Sequence, residues 1–224
     1  MTPWTTVSAA TVRGSDFVLA RRNDEWMVRV DGRVLMTSRE HGSEITLAQK
    51  ALEVHKTRSP STAAPAVLVG GLGFGYTLRA VLDIVAADAV VTVGEIVPEL
   101  VDANKQVLGS LNGNAVDDPR VKVVVGDAMD LFAPAAFDVI LLDVDNGPTA
   151  LSQPRNARFY SELGVRKCHS ALRKGGVLAV WSAGLADPYV ARLKAGGFAV
   201  DTLRVEARPG GKAKHIVFLA KRLG

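Results

Sequence analysis

Val67-Leu68-Val69-Gly70-Gly71-Leu72-Gly73-Phe74-Gly75 is the stretch whose reading decides the fold. Ala66 to Val69 are apolar and read as a buried strand. Glycines follow at 71, 73 and 75, and Tyr76 to Val85 carries Leu78, Val81, Leu82 and Val85 at helical spacing. A strand passing through a glycine turn into a helix brings bare backbone and a helix N-terminus up to a ligand. By itself the GxGxG pattern fits a structural turn as well as a nucleotide site, so the decision falls to what lies around it.

Downstream, strand-like and helix-like segments alternate. Strands are predicted at 66–70, 89–95, 121–125, 137–143 and 175–182, and helices near 75–86, 97–110, 156–172 and 186–195. The strands are valine-rich and apolar throughout, which argues for a parallel sheet with helices on both faces. Phe198 to Val205 and His215 to Lys221 have no helix between them, only a turn at Pro209-Gly210-Gly211, and should form an antiparallel hairpin at one sheet edge. Upstream, residues 4–38 alternate in short runs, with Asp31-Gly32 as a hairpin signal, and predict a small antiparallel β subdomain. A helix should follow, with Ser43 as its N-cap and Ile45, Ala48, Ala51 and Leu52 on its apolar face. The proline- and serine-rich connector 57–65 is the best boundary, dividing the chain into 1–60 and 61–224.

Composition narrows the classes. The chain is 48% hydrophobic and 22% charged, ordinary for a globule with a full core. No apolar run approaches the ~20 residues of a membrane helix, and Met1-Thr2-Pro3-Trp4 lacks a signal-peptide layout. A single cysteine, Cys168, excludes an internal disulfide and fits a reducing cytoplasm; it reads as a small buried residue on a helix. The +4 charge is scattered and not interleaved with aromatics, so no nucleic-acid partner is expected. The four histidines show no metal spacing, and no metal is expected.

In open parallel sheets ligands bind beyond the carboxyl ends of the strands. Strand 89–95 ends at Glu95, about 20 residues past the glycine turn, where an acid accepts from ribose hydroxyls. Strand 121–125 ends at Gly126-Asp127-Ala128, and Asp127 could accept from an adenine amino group. Strand 137–143 ends at Asp143-Val144-Asp145-Asn146. Glycine turn, acid, acid and acid on successive strand ends point to an adenine nucleoside. Tyr76 stands where a GxGxxG dinucleotide turn needs glycine, and Thr77-Leu78-Arg79 stands where a phosphate loop needs lysine and a hydroxyl. A sulfonium nucleoside fits better than a pyrophosphate.

Gly71-Leu72-Gly73-Phe74-Gly75-Tyr76-Thr77-Leu78-Arg79, Asp117 to Ala128, Phe137 to Asp143, Phe159-Tyr160 and Ala171 to Leu178 together resemble the spermidine synthase (polyamine aminopropyltransferase) branch of the class I S-adenosylmethionine-dependent transferases. The resemblance implies a Rossmann-like class I methyltransferase fold, with a mostly parallel seven-stranded sheet, an antiparallel C-terminal hairpin and a preceding β subdomain. It implies that Gly71, Gly73 and Gly75 cradle the donor, that Glu95 binds its ribose, and that Asp127 and Ala128 meet its adenine. Asp143 would be the acid that activates the attacking amine, with Asp145 beside it. Glu44, Asn146, Tyr160 and Trp181 are the candidates for the acceptor. The resemblance is also compatible with a homodimer.

The departures bear on the reaction. The branch's glycine loop carries an aspartate that holds the amine of decarboxylated S-adenosylmethionine, and here that position is Phe74. The branch's second acid after the fourth strand is Asn146. Leu35, Glu44 and Thr46 stand at a family glutamine, tyrosine and glutamate. A carboxylate at 74 would repel a donor that keeps its own carboxylate, and phenylalanine would not. The expectation is therefore methyl transfer from S-adenosylmethionine to a small amine-containing acceptor. Aminopropyl transfer from the decarboxylated donor is the alternative, and a nucleoside-binding homologue without turnover is a further one.

Overall fold

The computed structural model describes residues 2–58, 64–144, 156–208, 210–211 and 213–224. Four strands, β1 (Thr5–Val12), β2 (Ser15–Arg22), β3 (Glu25–Val30) and β4 (Arg33–Thr37), form an antiparallel meander in chain order. Asp31 and Gly32, both left-handed at φ 50° and 75°, make the two-residue turn from β3 to β4 that suits the natural twist of a hairpin.

The second sheet contains β5 (Ala66–Gly70), β6 (Val90–Glu95), β7 (Val121–Val125), β8 (Phe137–Leu142), β9 (Leu172–Ser182), β10 (Phe198–Glu206) and β11 (Lys214–Arg222). Their order is β10-β11-β9-β8-β5-β6-β7. Strands β5 to β9 pair in parallel, and β11 runs antiparallel to both β9 and β10. This is the Rossmann-like sheet with a terminal hairpin and a preceding β subdomain that the sequence implied. The chain order reverses at β5, flanked by β6 and β8, so the carboxyl ends there open into a crevice.

Alternate residues of each strand face opposite sides of the sheet. Val67, Val69, Val93 and Leu141 join one core under α1 (Gly42–Arg58) and α2 (Tyr76–Leu82). Leu68, Ile140, Leu142 and Leu178 join another under α5 (Glu162–Ala171) and α6 (Asp187–Ala195). Each such residue, fully buried, contributes about 1.5–3 kcal/mol. Cys168 lies in the second core, and burial pushes its thiol up to about 12, so it packs as an inert small side chain. Helix α1 buries Leu47, Ala48, Ala51 and Leu52 against the large sheet. Among the described residues no helix is long and apolar enough to cross a membrane.

Several boundaries differ from the periodic pattern for local reasons. Helix 97–110 divides into α3 (Pro98–Gln106) and α4 (Gly109–Asn112), because the Leu108 amide reaches back to the Ala103 carbonyl (2.8 Å) and closes α3. The segment 156–172 starts as a 3-10 turn over Asn156–Tyr160; Ser161 then caps α5 by accepting from the Gly164 amide (3.0 Å). Ser43 is no N-cap: α1 begins at Gly42, whose amide donates to the Ala207 carbonyl (2.8 Å), and the Ser43 side chain is buried within the first turn.

Gly71 fixes how closely the sheet centre packs. It has φ 90°, and a Cβ placed on it would lie 2.2 Å from the Asp143 carbonyl oxygen. Gly71→Ala should therefore combine left-handed backbone strain with overpacking, a loss of at least ~2 kcal/mol. For a chain of this size that lowers Tm by about 4–8 °C. Thermal denaturation checks it, and an unchanged Tm would mean that the two strand ends separate easily.

Candidate functional site

A cleft opens over the carboxyl ends of β5, β6, β7 and β8, the edge where open parallel sheets bind their ligands. Gly71, Gly73, Gly94 and Gly126 give it bare backbone, and the N-terminal sheet covers it with Arg13, Phe17, Leu35 and Met36. Gly73 lies directly under Met36, whose Cε and Sδ would be 3.2 Å from a Cβ there. Gly75 does not line the cleft. Its left-handed backbone (φ 80°) starts α2, and its carbonyl accepts from the Arg79 amide (2.9 Å).

The glycine loop is held from two sides. Glu95, 5% exposed, accepts from the Leu72 amide at Oε2 and the Val97 amide at Oε1, each at 2.8 Å. Burial raises its pKa, and the amides of Leu72, Val97, Gly73 and Ile96 pull it back towards the charged form. On the other side, Asn104 Nδ2 donates to the Gly73 carbonyl and Asn112 Nδ2 to the Phe74 carbonyl, both at 2.9 Å. Asn112 also donates to Asn104 Oδ1 (2.7 Å), so the pair braces the loop as one unit.

Asp127 lies at the β7 end of the cleft with its side chain 3% exposed. Oδ1 accepts from the Met129 amide (2.9 Å), and Oδ2 pairs with Arg13 (2.7 Å) and with Arg158. The acceptor capacity assigned to adenine is thus shared with two guanidiniums, one from the β1–β2 turn and one from the 3-10 turn before α5. Ala128 lies under Gly94, where an added Cβ would come within 2.9 Å of its Cα.

Asp143 follows β8 directly. Its amide donates to the Gly70 carbonyl (2.9 Å), and its Oδ2 accepts from Thr77 Oγ1 (2.7 Å) on the first turn of α2. Glu44, half-buried on the first turn of α1, lies within the Coulomb field of Asp143. Burial first, and then the Asp143 charge, raise the Glu44 carboxyl to about 8. Tyr76 is pushed up to about 12 by burial and by Glu44, and its hydroxyl donates to the Ser38 carbonyl (3.1 Å). His41 stacks on Tyr76 with centroids 4.3 Å apart.

Two acceptor candidates stand apart from this cleft. Tyr160 is buried in the core under α5 and α6, edge-on to Tyr189 (5.4 Å). Trp181, 9% exposed, packs edge-on to His215 (4.6 Å), and its buried Nε1 has no hydrogen-bond partner among the described residues. Asp145 and Asn146 lie outside the described residues. Among those described, no three His, Cys, Asp or Glu side chains group to hold a metal ion. Arg13, Arg158, Thr77, Asn104 and Asn112 were not legible as site residues; each owes its place to a contact across many residues of chain, and only the position of Thr77 just after the glycine run gave a local signal.

A family model described as the spermine/spermidine synthase domain matches residues 45–184. A polyamine aminopropyltransferase of Mycobacterium tuberculosis is 27% identical over 205 residues, which cover 85% of this chain and 36% of that protein. One of Aeropyrum pernix is 30% identical over 190 residues, 78% of this chain and 58% of that protein. The chain thus spans little more than a third of the first relative's length (36%). A spermidine synthase solved in complex with the transition state analogue AdoDATO superimposes with a TM-score of 0.78 at 18% identity, over 97% of this chain and 73% of that one. The spermidine synthase of Thermotoga maritima gives 0.71 at 19%, over 97% and 72%. At such identities the superpositions speak for the fold alone.

These similarities overturn the expectation of methyl transfer, since the relatives are aminopropyltransferases. The structure supplies the physical reason. Phe74, on which that expectation rested, is 3% exposed and packs with Leu19, Trp26, Val28 and Leu100 beneath the N-terminal sheet. Its ring does not line the cleft, so it carries no information about the charge of the donor.

The Glu44 carboxyl leads to a pH-dependent stability. Its folded pKa is raised from 4.5 to about 8, so the folded state keeps a proton that the unfolded chain releases. Stability should fall as pH rises between those values. Glu44→Gln should remove that slope: little change in Tm relative to the native chain at pH 4.5, and a gain that grows until about pH 8. Thermal melts across this range check it, and a parallel offset at every pH would count against the raised pKa.

Proposed function

The chain belongs to the spermine/spermidine synthase family, and from that premise we propose that it transfers an aminopropyl group from decarboxylated S-adenosylmethionine to a small amine acceptor. The observation that carries the reading is the position of Asp143. It stands at the cleft, one strand away from the glycine loop, with Thr77 fixing one carboxylate oxygen and Glu44 in its field.

The chemistry follows from charge. An alkylammonium has a pKa near 10, close to that of lysine, and has no lone pair until it loses a proton. A carboxylate attracts the ammonium, orients it and accepts the proton. The freed lone pair then attacks the CH2 next to the sulfonium sulfur, a C–N bond forms, and the C–S pair returns to sulfur as a neutral thioether. Thr77 leaves Asp143 one preferred orientation, and in-line placement of nitrogen, carbon and sulfur supplies much of the rate. The glycine loop and Glu95 would hold the nucleoside, with Asp127 and Ala128 at its base. Binding a base there requires Arg13 and Arg158 to share Asp127 or to release it.

Donor choice is also electrostatic. Asp143 places a carboxylate at the reacting end, with Glu44 in its field, which favours an ammonium tail and disfavours one that also carries a carboxylate. This is the discrimination that Phe74 does not provide.

Purified protein supplied with the decarboxylated donor and 1,4-diaminobutane should release methylthioadenosine. Intact S-adenosylmethionine should be turned over far more slowly, and Asp143→Asn should lower kcat by about 10²- to 10⁴-fold. Turnover unaffected by that substitution, or preference for the intact donor, would sink the reading.

A further inference from the structure

Behind Glu44 lies a hydrogen-bonded chain that donor binding does not need. Ser43 Oγ is 2.6 Å from Glu44 Oε2 and 2.9 Å from His215 Nδ1. Ser43 is completely buried, whereas His215, on β11, is half-buried. The two residues are 172 positions apart in sequence, and the contact exists because α1 starts against the end of β10. Gly42 permits this: a Cβ there would lie 3.1 Å from the Glu206 carbonyl oxygen and 3.2 Å from that of Ala207. The His215 ring packs against Trp181 in an inclined edge contact, which helps to hold the imidazole in place.

We propose that Ser43 and His215 form a proton-exit relay, which carries the proton released by the acceptor amine from Glu44 to solvent. The inference rests on the aminopropyl-transfer reading. Glu44 would touch the amine together with Asp143; Ser43 and His215 act through Glu44 and are positioning residues.

A hydroxyl has one proton and here two neighbours, so the chain has two settings. With Glu44 ionised, His215 Nδ1–H donates to Ser43 and Ser43 donates to Oε2. With Glu44 protonated, Oε2–H donates to Ser43, and Ser43 donates to an unprotonated Nδ1. Acceptor ammonium plus sulfonium gives secondary ammonium, neutral thioether and one proton. That proton passes from nitrogen to Glu44. The relay then moves one proton from Glu44 to Ser43 and another from Ser43 to Nδ1, and the imidazolium loses its Nε2 proton to water. Glu44 is left ionised, and the relay is back in its first setting. Exchange of the imidazole tautomer through solvent readies it for the next turnover.

The surroundings suit the task. Glu44 is faced by Asp143, Glu40 and Tyr76, and its raised pKa lets it hold a proton near neutrality. His215 is faced by Glu40, but burial outweighs that charge and lowers its pKa, so it gives a proton up readily. An acceptor ammonium arriving between Glu44 and Asp143 drives the Glu44 proton outward before chemistry begins.

Two measurements test the relay separately from the reaction. In the first, the ring resonances of His215 are followed by NMR against pH. Beside its own titration below 6.5, His215 should show a second step near pH 8, where Glu44 titrates, and Ser43→Ala should abolish it. Absence of that step in the native chain, or its persistence in Ser43→Ala, overturns the relay whatever the activity. In the second, kcat is measured against pH with the decarboxylated donor and 1,4-diaminobutane. Ser43→Ala and His215→Gln should lower kcat roughly 10- to 100-fold near neutrality with KM for the diamine unchanged. Most of the loss should disappear above pH 9 or on adding imidazole, and Ser43→Thr should retain activity. An equal loss at every pH, or a raised KM, would mean a merely structural role and overturn the relay. A native chain that shows the coupled titration but no aminopropyl transfer would overturn the assigned reaction and leave the proton path standing.

Discussion

The close approach of the β5 and β8 ends governs this structure. Gly71 leaves β5 with a left-handed backbone and no side chain, and a Cβ there would lie only 2.2 Å from the Asp143 carbonyl oxygen. The Gly70 carbonyl accepts from the Asp143 amide across the same gap. Two loops, one rich in glycine and one carrying an acid, are thereby fixed to each other through backbone. Because the constraint is covalent geometry and parallel pairing, it does not depend on side-chain rotamers. Thr77 adds a hydrogen bond to one oxygen of the carboxylate that follows β8.

Around that centre the fold distributes charge unevenly. At the β7 end of the cleft, the single carboxylate of Asp127 is paired with both Arg13 and Arg158, so that end is net positive. At the β8 end, Glu44 lies in the field of Asp143, and burial first and then that charge keep its proton on. A cationic ligand tail relieves the second arrangement and has nothing to relieve in the first. On the proposed aminopropyl-transfer reading, that gradient would suit a molecule with a neutral base at one end and a positive tail at the other. The N-terminal elements supply half of it: Arg13 comes from the β1–β2 turn and Glu44 from the start of α1.

Phe74 shows how sequence alignment and burial can separate. Placed by register, it occupies a loop position where the family has a ligand-holding aspartate. The same loop turns that side chain away from the cleft and under the N-terminal sheet, where Leu19, Trp26 and Leu100 enclose it. Its neighbour Gly73 faces the cleft. In a loop of alternating glycines, one residue of rotation decides whether a side chain meets ligand or core, and that rotation is set by what packs from outside the loop.

The sequence by itself determined the alternation of strand and helix, the C-terminal hairpin, the N-terminal meander, the glycine loop and the acids at successive strand ends. Each is written in local periodicity or in a turn, where the physical cause lies within a few residues. The acidic positions 95, 127 and 143 follow from strand ends and needed no tertiary knowledge. Only the tertiary structure decided what those acids touch: Glu95 on the loop amides, Asp127 between two arginines, Asp143 against Thr77. It also decided that Ser43 meets His215 and does not cap its helix, and that Phe74 belongs to the core. These depend on the docking of α1 and the N-terminal sheet onto the large sheet. Such contacts join residues far apart in the chain, and no periodicity in the sequence records them.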